Sequence, residues 1–312
     1  MVKKHKRRSP GMSVQIGKIG MENPVMVASG TYEYNEVTKE LIDIKQFGAI
    51  VTKTITLRPR EGNPLPRTCE TYAGLLNAIG LQNKGLNAFL IESIPSLKKL
   101  RIPIIVSISG DTAGEFKELA GNLAEREEVA GIELNLSCPN LTNKRLFAQN
   151  ADATYDVVCQ VREMTDKTII AKLTPNVTNI SEIARSAERA GADAISLVNT
   201  FFGMAIDIKK REPKLGNVTG GLSGPAIKPI ALRMVWDVSK KVKIPIIGMG
   251  GIMSGEDAIE FIIAGASAVA VGTGSFINPN LGIEIIRDIK KYLSKNNING
   301  MKQLTGSLAE RS

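Results

Sequence analysis

One stretch of the chain indicates both its fold and the place of its chemistry: it reads Ile132-Glu133-Leu134-Asn135-Leu136-Ser137-Cys138-Pro139-Asn140. An apolar strand pattern ends in Asn135, and the loop that follows presents Ser137, Cys138 and Asn140 around a proline. Polar residues at the carboxyl end of a parallel strand are where α/β folds keep their chemistry. The single histidine, His5, lies in what reads as a loose tail, so Cys138 is the leading candidate for acid–base work.

Similar apolar runs recur along the chain. Each is nearly continuous in Ile, Val and Ala, as is typical of strands that are buried on both faces. Because helical patterns separate them, the alternation predicts a (β/α)8 TIM barrel. An open doubly wound sheet is the alternative, but it would more naturally show G-x-G-x-x-G after the first strand, where none is present. The eight predicted strands are 25–29, 49–54, 104–109, 132–136, 169–173, 194–199, 246–250 and 268–272.

The segments around these strands carry their own signals. Residues 181–191 form an amphipathic helix pattern that ends at Gly191, and Ser254-Gly255-Glu256-Asp257 resembles a helix start. Residues 14–24 read as a small hairpin before the barrel. The connections 57–88 and 201–226 are long, and we expect them to be active-site loops.

Composition narrows the class of protein. The chain has 312 residues and a net charge of +9, but five positive charges lie in the first eight residues, and without them the net charge is +4. We interpret 1–10 as a basic, disordered arm and 11–312 as a single barrel domain. The chain has no apolar run of membrane-span length and no secretory signal, and its three cysteines show no CxxC. We therefore expect a cytoplasmic protein without a nucleic-acid partner, a membrane segment or a metal site.

Amides and lysines end several of the predicted strands. In a barrel these ends converge on one mouth. Several lysines and asparagines in one space suit a planar, anionic ligand that is rich in hydrogen-bonding groups. The members of this set are Lys53, Asn135, Lys172, Asn199 and Thr200.

Glycines follow the last two strands, in Gly248-Met249-Gly250-Gly251 and Gly272-Thr273-Gly274. Loops at these positions form the usual phosphate site of barrels, because glycine lets backbone N–H groups approach the anion. The glycine-rich run 220–224 is expected to form another edge of the same phosphate site. In the first long connection, Asn77 and Gly80 could offer an amide and backbone N–H groups to a carboxylate. Cys69, in a loop, and Cys159, in a helical segment, are expected to be structural.

Together these residues resemble the flavoprotein dihydroorotate dehydrogenases, and the similarity runs through nearly the whole body of the chain. Its NAIGLQN form and the cysteine in SCPN are similar to class 1, most closely the B type. The motifs are NPVMVASGT, VTKTITLRPREGNPLPR, LLNAIGLQNKG, ELNLSCPN, AKLTPN, SLVNT, GGLSGPAIKP, IIGMGGI and AVGTGSFINP.

The resemblance implies oxidation of (S)-dihydroorotate to orotate, in pyrimidine (UMP) biosynthesis, with one FMN in the barrel mouth. Cys138 would remove the C5 proton, and Lys172 would stabilise negative charge near flavin N1 and O2. The substrate residues that it implies are Lys53, Asn77, Gly80, Leu81, Asn135, Asn199 and Thr200. The FMN-binding residues are Ser29, Lys53, Thr54, Asn135, Lys172, Val198, Gly224, Gly250, Gly251, Gly272 and Thr273.

The B type further implies a homodimer core and a partner subunit that carries FAD and a [2Fe–2S] cluster and passes electrons to NAD+. Two features depart from the family pattern. Ser107 stands where an asparagine is usual, which affects one expected flavin contact. The loop LTNKRLFAQNAD at 141–152 lacks the usual glycine-rich continuation.

Other functions compete with this reading. One is a related FMN enzyme that acts on dihydropyrimidines without the carboxylate. Another is a flavin-free lyase or aldolase that uses Lys172 as a Schiff-base amine. A third is a non-catalytic phosphate-binding barrel.

Overall fold

A computed structural model describes residues 11–32, 41–137 and 146–309 of the chain. Eight parallel strands close into a barrel, in the same order in which they follow one another along the chain. All eight predicted strands are therefore present, and the predicted (β/α)8 barrel is confirmed. The barrel strands are β3 Val25–Val27, β4 Ala49–Val51, β7 Ile104–Ile108, β8 Val129–Asn135, β9 Thr168–Lys172, β10 Ala194–Leu197, β15 Ile246–Gly248 and β16 Ala268–Val271.

The observed strands end earlier than the predicted ones, by one or two residues in most cases. At the mouth the chain leaves the ladder while still donating single hydrogen bonds to it, such as Val198 N–H to Met249 O at 3.1 Å. At its amino-terminal end, β8 begins at Val129, three residues before the predicted start. Hydrophobicity therefore marks the buried part of a strand rather than its hydrogen-bonded limits.

Helices cover the outside of the barrel, and their starts follow capping rules. Ser254 Oγ accepts the Asp257 N–H at 3.1 Å and begins the helix Gly255–Ile263, as its sequence predicts. The helix predicted at 181–191 is Ile180–Arg189, with Gly191 after its end at φ 99°. The other α-helices that lie wholly within the described residues are Gly85–Ala88, Ile94–Leu97, Ala113–Ala124, Ala151–Arg162, Lys228–Ser239, Gly274–Ile277, Leu281–Lys295 and Met301–Leu304.

The predicted hairpin, β1 Val14–Ile16 and β2 Ile19–Met21, closes the amino-terminal end of the barrel. Ile16 and Ile19 pack in one cluster with the interior side chains of the barrel strands, among them Ile105. A second, larger cluster lies between the barrel and its helices. The hairpin thus seals the bottom and leaves the opposite end open to ligands.

The two long connections contain more structure than predicted. They form a four-stranded antiparallel sheet over the mouth, with two strands from each connection. The connections therefore cover the site as expected, but they do so with strands that the sequence analysis did not predict. Cys69 lies in a strand of this sheet, not in a loop. Its strands are β5 Thr68–Thr71, β6 Gly74–Asn77, β11 Phe201–Met204 and β14 Thr219–Ser223, and β12 Ile206–Asp207 pairs with β13 Glu212–Pro213 beside it.

Among the described residues, no helix combines the length and apolarity that crossing a membrane requires. The predicted basic arm, 1–10, lies outside the described residues, and the predicted domain boundary after it stays a prediction.

Candidate active site

A cavity of about 440 Å³ opens at the carboxyl ends of the barrel strands. Such a volume is typical of sites for small molecules and cofactors. Strand ends form its floor, and the sheet over the mouth contributes side chains from Leu75, Asn77 and Ser223 to its wall. The cavity therefore lies between the barrel and the two long connections.

Three strand-end side chains form a connected polar cluster on the floor. Asn199 Nδ2 donates to Ser137 Oγ at 2.9 Å and to Asn135 Oδ1 at 3.3 Å. Asn199 Oδ1 accepts the N–H of Thr200 at 2.9 Å. Asn199 thus fixes the start of the loop after β8 against the end of β10, beside the cavity.

A chain of hydroxyl groups lies on the other side of Asn135. Thr54 Oγ1 is 3.2 Å from Ser29 Oγ and 2.9 Å from Ser107 Oγ, and it accepts Asn135 Nδ2 at 3.4 Å. Ser107 is fully buried and, unlike Thr54 and Ser29, does not line the cavity. The serine at this departure from the family pattern therefore contacts Thr54, which lines the cavity, and does not line the cavity itself.

The described lining contains two lysines, Lys53 and Lys172, and no acidic side chain. Lys172 Nζ lies 3.4 Å from Oε1 of Glu133, which sits beneath the floor. The cavity thus presents positive charge to its contents, which suits an anionic ligand.

Glycine loops form the far end of the cavity. Gly224, Gly250 and Gly251 have φ angles of 96°, 118° and 78°. A Cβ on Gly251 would lie 2.8 Å from both Gly224 O and Lys228 N, so only glycine fits this approach. With the Thr273 and Ser223 hydroxyls, 2.7 Å apart, these loops offer the donors that a phosphate group needs.

An ion pair ties the two helices behind these loops. Lys228 Nζ contacts Asp257 Oδ1 at 2.6 Å and Glu260 Oε2 at 3.0 Å. Burial acts to raise the pKa of Asp257, but hydrogen bonds from Lys228, the Met253 N–H and Ser254 outweigh it and hold this pKa below that of an ordinary aspartate. The hydrogen bond to Asp257 raises the pKa of Lys228.

The structure brings nearly all of the predicted residues together. Of those it describes, only Gly80 does not line the cavity. Gly80 packs against Asn63, and its neighbours Ile79 and Leu81 line the cavity instead. Cys138 lies outside the described residues. The predicted residues in the lining are Ser29, Lys53, Thr54, Asn77, Leu81, Asn135, Lys172, Val198, Asn199, Thr200, Gly224, Gly250, Gly251, Gly272 and Thr273.

Several residues at the site were not predicted. Gln82, Met249 and Phe276 line the cavity, and Glu133 and Ser196 lie beneath it. Gln82 directly follows a predicted residue in the same motif, so its position could have been noticed. Glu133 carries a signal as well, because it shares a strand face with Asn135 at a spacing of two. Within the described part of the chain, no group of three or more His, Cys, Asp or Glu side chains could hold a metal ion.

Comparison with known proteins agrees with this geometry. The family model for dihydroorotate dehydrogenase matches residues 12–293. The chain is 51% identical over 300 residues to the catalytic subunit of dihydroorotate dehydrogenase B (NAD+) from Geotalea uraniireducens, covering 96% of this chain and 98% of that protein. It is also 51% identical over 302 residues to the subunit of the same name from Geobacter sulfurreducens, covering 96% and 99% of the two chains.

A crystal structure of the Eimeria tenella dihydroorotate dehydrogenase, in complex with ferulenol, has the same fold. It superposes with a TM-score of 0.79 at 24% identity and covers 98% of this chain and 91% of that one. The fold and the cavity define a barrel enzyme whose mouth is lined by two lysines and, among the described residues, by no acidic side chain. The chain belongs to the dihydroorotate dehydrogenase family, whose members are oxidoreductases, and the predicted resemblance is confirmed.

Proposed function

We propose that this chain oxidises (S)-dihydroorotate to orotate in pyrimidine biosynthesis, with FMN as its cofactor. The observation that carries the proposal is the cavity floor, where Lys172, Asn135 and Asn199 converge and Asn199 also holds Ser137, the residue before Cys138. Amides and ammonium groups match the ring amides and the carboxylate of dihydroorotate. A lyase that needs no flavin has no comparable support, because the relatives are dehydrogenases.

FMN fits the residues that are present. The glycine loops around Gly224 and Gly251 offer close backbone approach for its phosphate. Lys172, Thr54 and Asn135 line the same cavity as those loops, which supports a flavin ring beside them. When bound, FMN would accept the hydride from C6 of the substrate. Lys172 would supply the positive charge that stabilises charge developing at the flavin's pyrimidine edge.

Proton removal is assigned to Cys138. Its thiolate takes the C5 proton while the hydride leaves C6, so the substrate gains its C5–C6 double bond, and the proton passes later to solvent. Ser137 directly precedes Cys138, and its Oγ accepts a hydrogen bond from Asn199 Nδ2 at 2.9 Å. This contact supports a base close to the asparagine side chains that we assign to substrate binding. Asn77, Leu81 and Thr200 would enclose the substrate from the side of the mouth.

A full turnover also needs an acceptor for the two electrons taken from dihydroorotate. The relatives' name, a catalytic subunit of an NAD+ enzyme, implies a second subunit that transfers electrons. We assign to that partner an FAD and a [2Fe–2S] cluster, and to the catalytic chain a homodimer core. Both assignments rest on the B-type resemblance.

Steady-state turnover tests the proposal. The FMN-loaded chain should oxidise dihydroorotate with an artificial dye acceptor and should leave dihydrouracil, which lacks the carboxylate, nearly unoxidised. NAD+ should be reduced only after a subunit carrying FAD and the cluster is added. Preference for dihydrouracil would indicate the dihydropyrimidine enzyme instead. NAD+ reduction by the chain alone would contradict the proposal that a partner subunit transfers the electrons.

A further inference from the structure

A carboxylate and an ammonium group face each other inside the barrel, under the floor of the cavity. Glu133 Oε1 lies 3.4 Å from Lys172 Nζ, and the two side chains are 1% and 8% exposed. Lys172 lines the cavity, whereas Glu133 lies below the lining. Across the described ranges, no other acidic or basic residue is as completely buried as these two.

The surroundings of Glu133 isolate it from water. Its Oε2 accepts a hydrogen bond from Ser196 Oγ at 3.4 Å, and Ser196 is the register partner of Lys172 across β9 and β10. The barrel interior below is apolar, with Ile105 and Ile170 among its side chains. An acidic side chain at this depth carries a desolvation cost that its contacts with Lys172 and Ser196 must offset.

Stability alone does not explain the pair. Buried ion pairs contribute little to folding and can often be replaced by apolar side chains of similar volume. The contact between Nζ and Oε1 is also long for a charge-assisted hydrogen bond, so the ammonium group is not committed to the carboxylate alone. It can keep its contact below while it faces the cavity above.

We propose that Glu133 is a positioning residue for Lys172. Its carboxylate anchors the ammonium group at the floor and offsets part of its positive charge, which sets how strongly Lys172 stabilises negative charge on a reduced flavin. The inference rests on the proposed function, because it needs a flavin in the cavity. It adds Glu133 to the residues that support that function, as a carboxylate buried below the residues that would contact the ligands.

The midpoint potential of the bound flavin tests this role, measured against reference dyes at one fixed pH for all variants. Removing the negative charge in Glu133→Gln leaves more positive charge at the flavin edge. We expect the flavin to become easier to reduce by about tenfold in its equilibrium constant, or about 30 mV for a two-electron couple. Glu133→Asp keeps the charge but withdraws it from Lys172, so a smaller shift in the same direction is expected.

Ser196→Ala is the matched control, since it removes one hydrogen bond from the same carboxylate but leaves its charge and its contact with Lys172. Its potential should stay that of the wild type. A shift as large as that of Glu133→Gln would show that packing, not charge, sets the potential and would overturn the inference. Should Glu133→Gln fail to fold, Glu133→Asp decides alone, because an unchanged potential in a folded Asp variant contradicts the role.

The two hypotheses fail in different ways. A wild-type chain that binds no flavin, or that keeps its flavin oxidised with dihydroorotate, contradicts the proposed function and with it this inference. A wild-type flavin that dihydroorotate reduces, with one potential shared by the wild type and both Glu133 variants, overturns the inference alone.

Discussion

Asn199 shows how one side chain organises the site at the scale of single residues. Its amide nitrogen holds Ser137 and Asn135, and its amide oxygen accepts from Thr200, so three hydrogen bonds fix its orientation. The chain just before Cys138, the proposed base, is thereby tied to the end of β10. An amide suits this position because it donates and accepts at once.

Replacing Cys138 with serine tests the assignment of the base. Serine is a far weaker base at neutral pH, so Cys138→Ser should keep FMN but lose about 10²- to 10⁴-fold in the rate of flavin reduction by dihydroorotate. Stopped-flow absorbance measures this rate. Cys69→Ser and Cys159→Ser are controls and should reduce as fast as the wild type. Equal rates in Cys138→Ser would remove Cys138 from the mechanism.

The polar residues of the site could be predicted from their place in the sequence. Lys53, Asn135 and Asn199 follow or end apolar runs, and parallel strands bring their ends to one mouth. The partnership of Glu133 could not be predicted in this way. Alternation places Glu133 and Asn135 on one face, but the facing Lys172 is 39 residues away and becomes a neighbour only when β8 pairs with β9.

At the scale of elements, the sheet over the mouth is the main feature that the sequence analysis missed. Its strands are short and rich in glycine, and β6 pairs with β14 across more than 140 residues of sequence. Sequence-based strand propensity is a poor guide in such segments, because packing against neighbouring strands decides whether they form strands. Gly221 illustrates the point, since a Cβ there would lie 1.9 Å from Thr200 Oγ1.

Gly221→Ala should therefore displace Thr200 from the cavity wall. We expect KM for dihydroorotate to rise about tenfold or more, equivalent to about 1.4 kcal/mol, while FMN stays bound. Steady-state kinetics measures the change. Gly114→Ala is the control, because its added Cβ meets only Thr112 Oγ1 at 3.8 Å, and its KM should be that of the wild type. An unchanged KM in Gly221→Ala would argue against a substrate role for Thr200.

The Lys228–Asp257 pair predicts how stability depends on pH. Because the folded-state pKa of Asp257 is lowered, its contribution is present at neutral pH and lost as pH falls through that pKa. Lys228 has a raised pKa, so its contribution persists until strongly alkaline pH. Asp257→Asn should cost about 0.5–1 kcal/mol at neutral pH after solvent screening. The cost should begin to shrink as pH falls below about 4, the ordinary aspartate pKa, and should be lost only at pH values below the lowered pKa of folded Asp257.

Urea unfolding of both proteins across this pH range measures the difference. Asp237→Asn is a suitable control, since Asp237 pairs with Arg233, whose side chain is 72% exposed, and its loss should cost less. A cost for Asp257→Asn that does not change with pH would contradict the electrostatic account.

At the scale of the whole molecule, the amino-terminal hairpin completes the barrel. Ile16 is fully buried at the closed end, and Gly17 turns the hairpin at φ 55°, where a Cβ would lie 2.7 Å from Thr168 Cγ2. The barrel and the hairpin could both be predicted, because eight apolar runs separated by helical patterns have few other packed arrangements. Their closure depends on contacts between residues far apart in sequence.

Ile16→Ala should destabilise the whole barrel, although Ile16 is far from the site. Truncating a buried isoleucine typically costs about 2–5 kcal/mol, measured here by urea unfolding. The exposed Ile91 serves as the control, and Ile91→Ala should change stability by less than about 0.5 kcal/mol. If both variants lost the same stability, the hairpin would not be part of the folded core.

Anaerobic reduction of the bound flavin by dihydroorotate tests the central claim most directly. The purified chain, loaded with FMN and free of any partner subunit, is mixed with dihydroorotate while the flavin absorption bands are recorded. Rapid bleaching is the expected result, because the proposed function requires substrate, FMN and base to meet at this one cavity. A bound flavin that dithionite bleaches but dihydroorotate does not would contradict it.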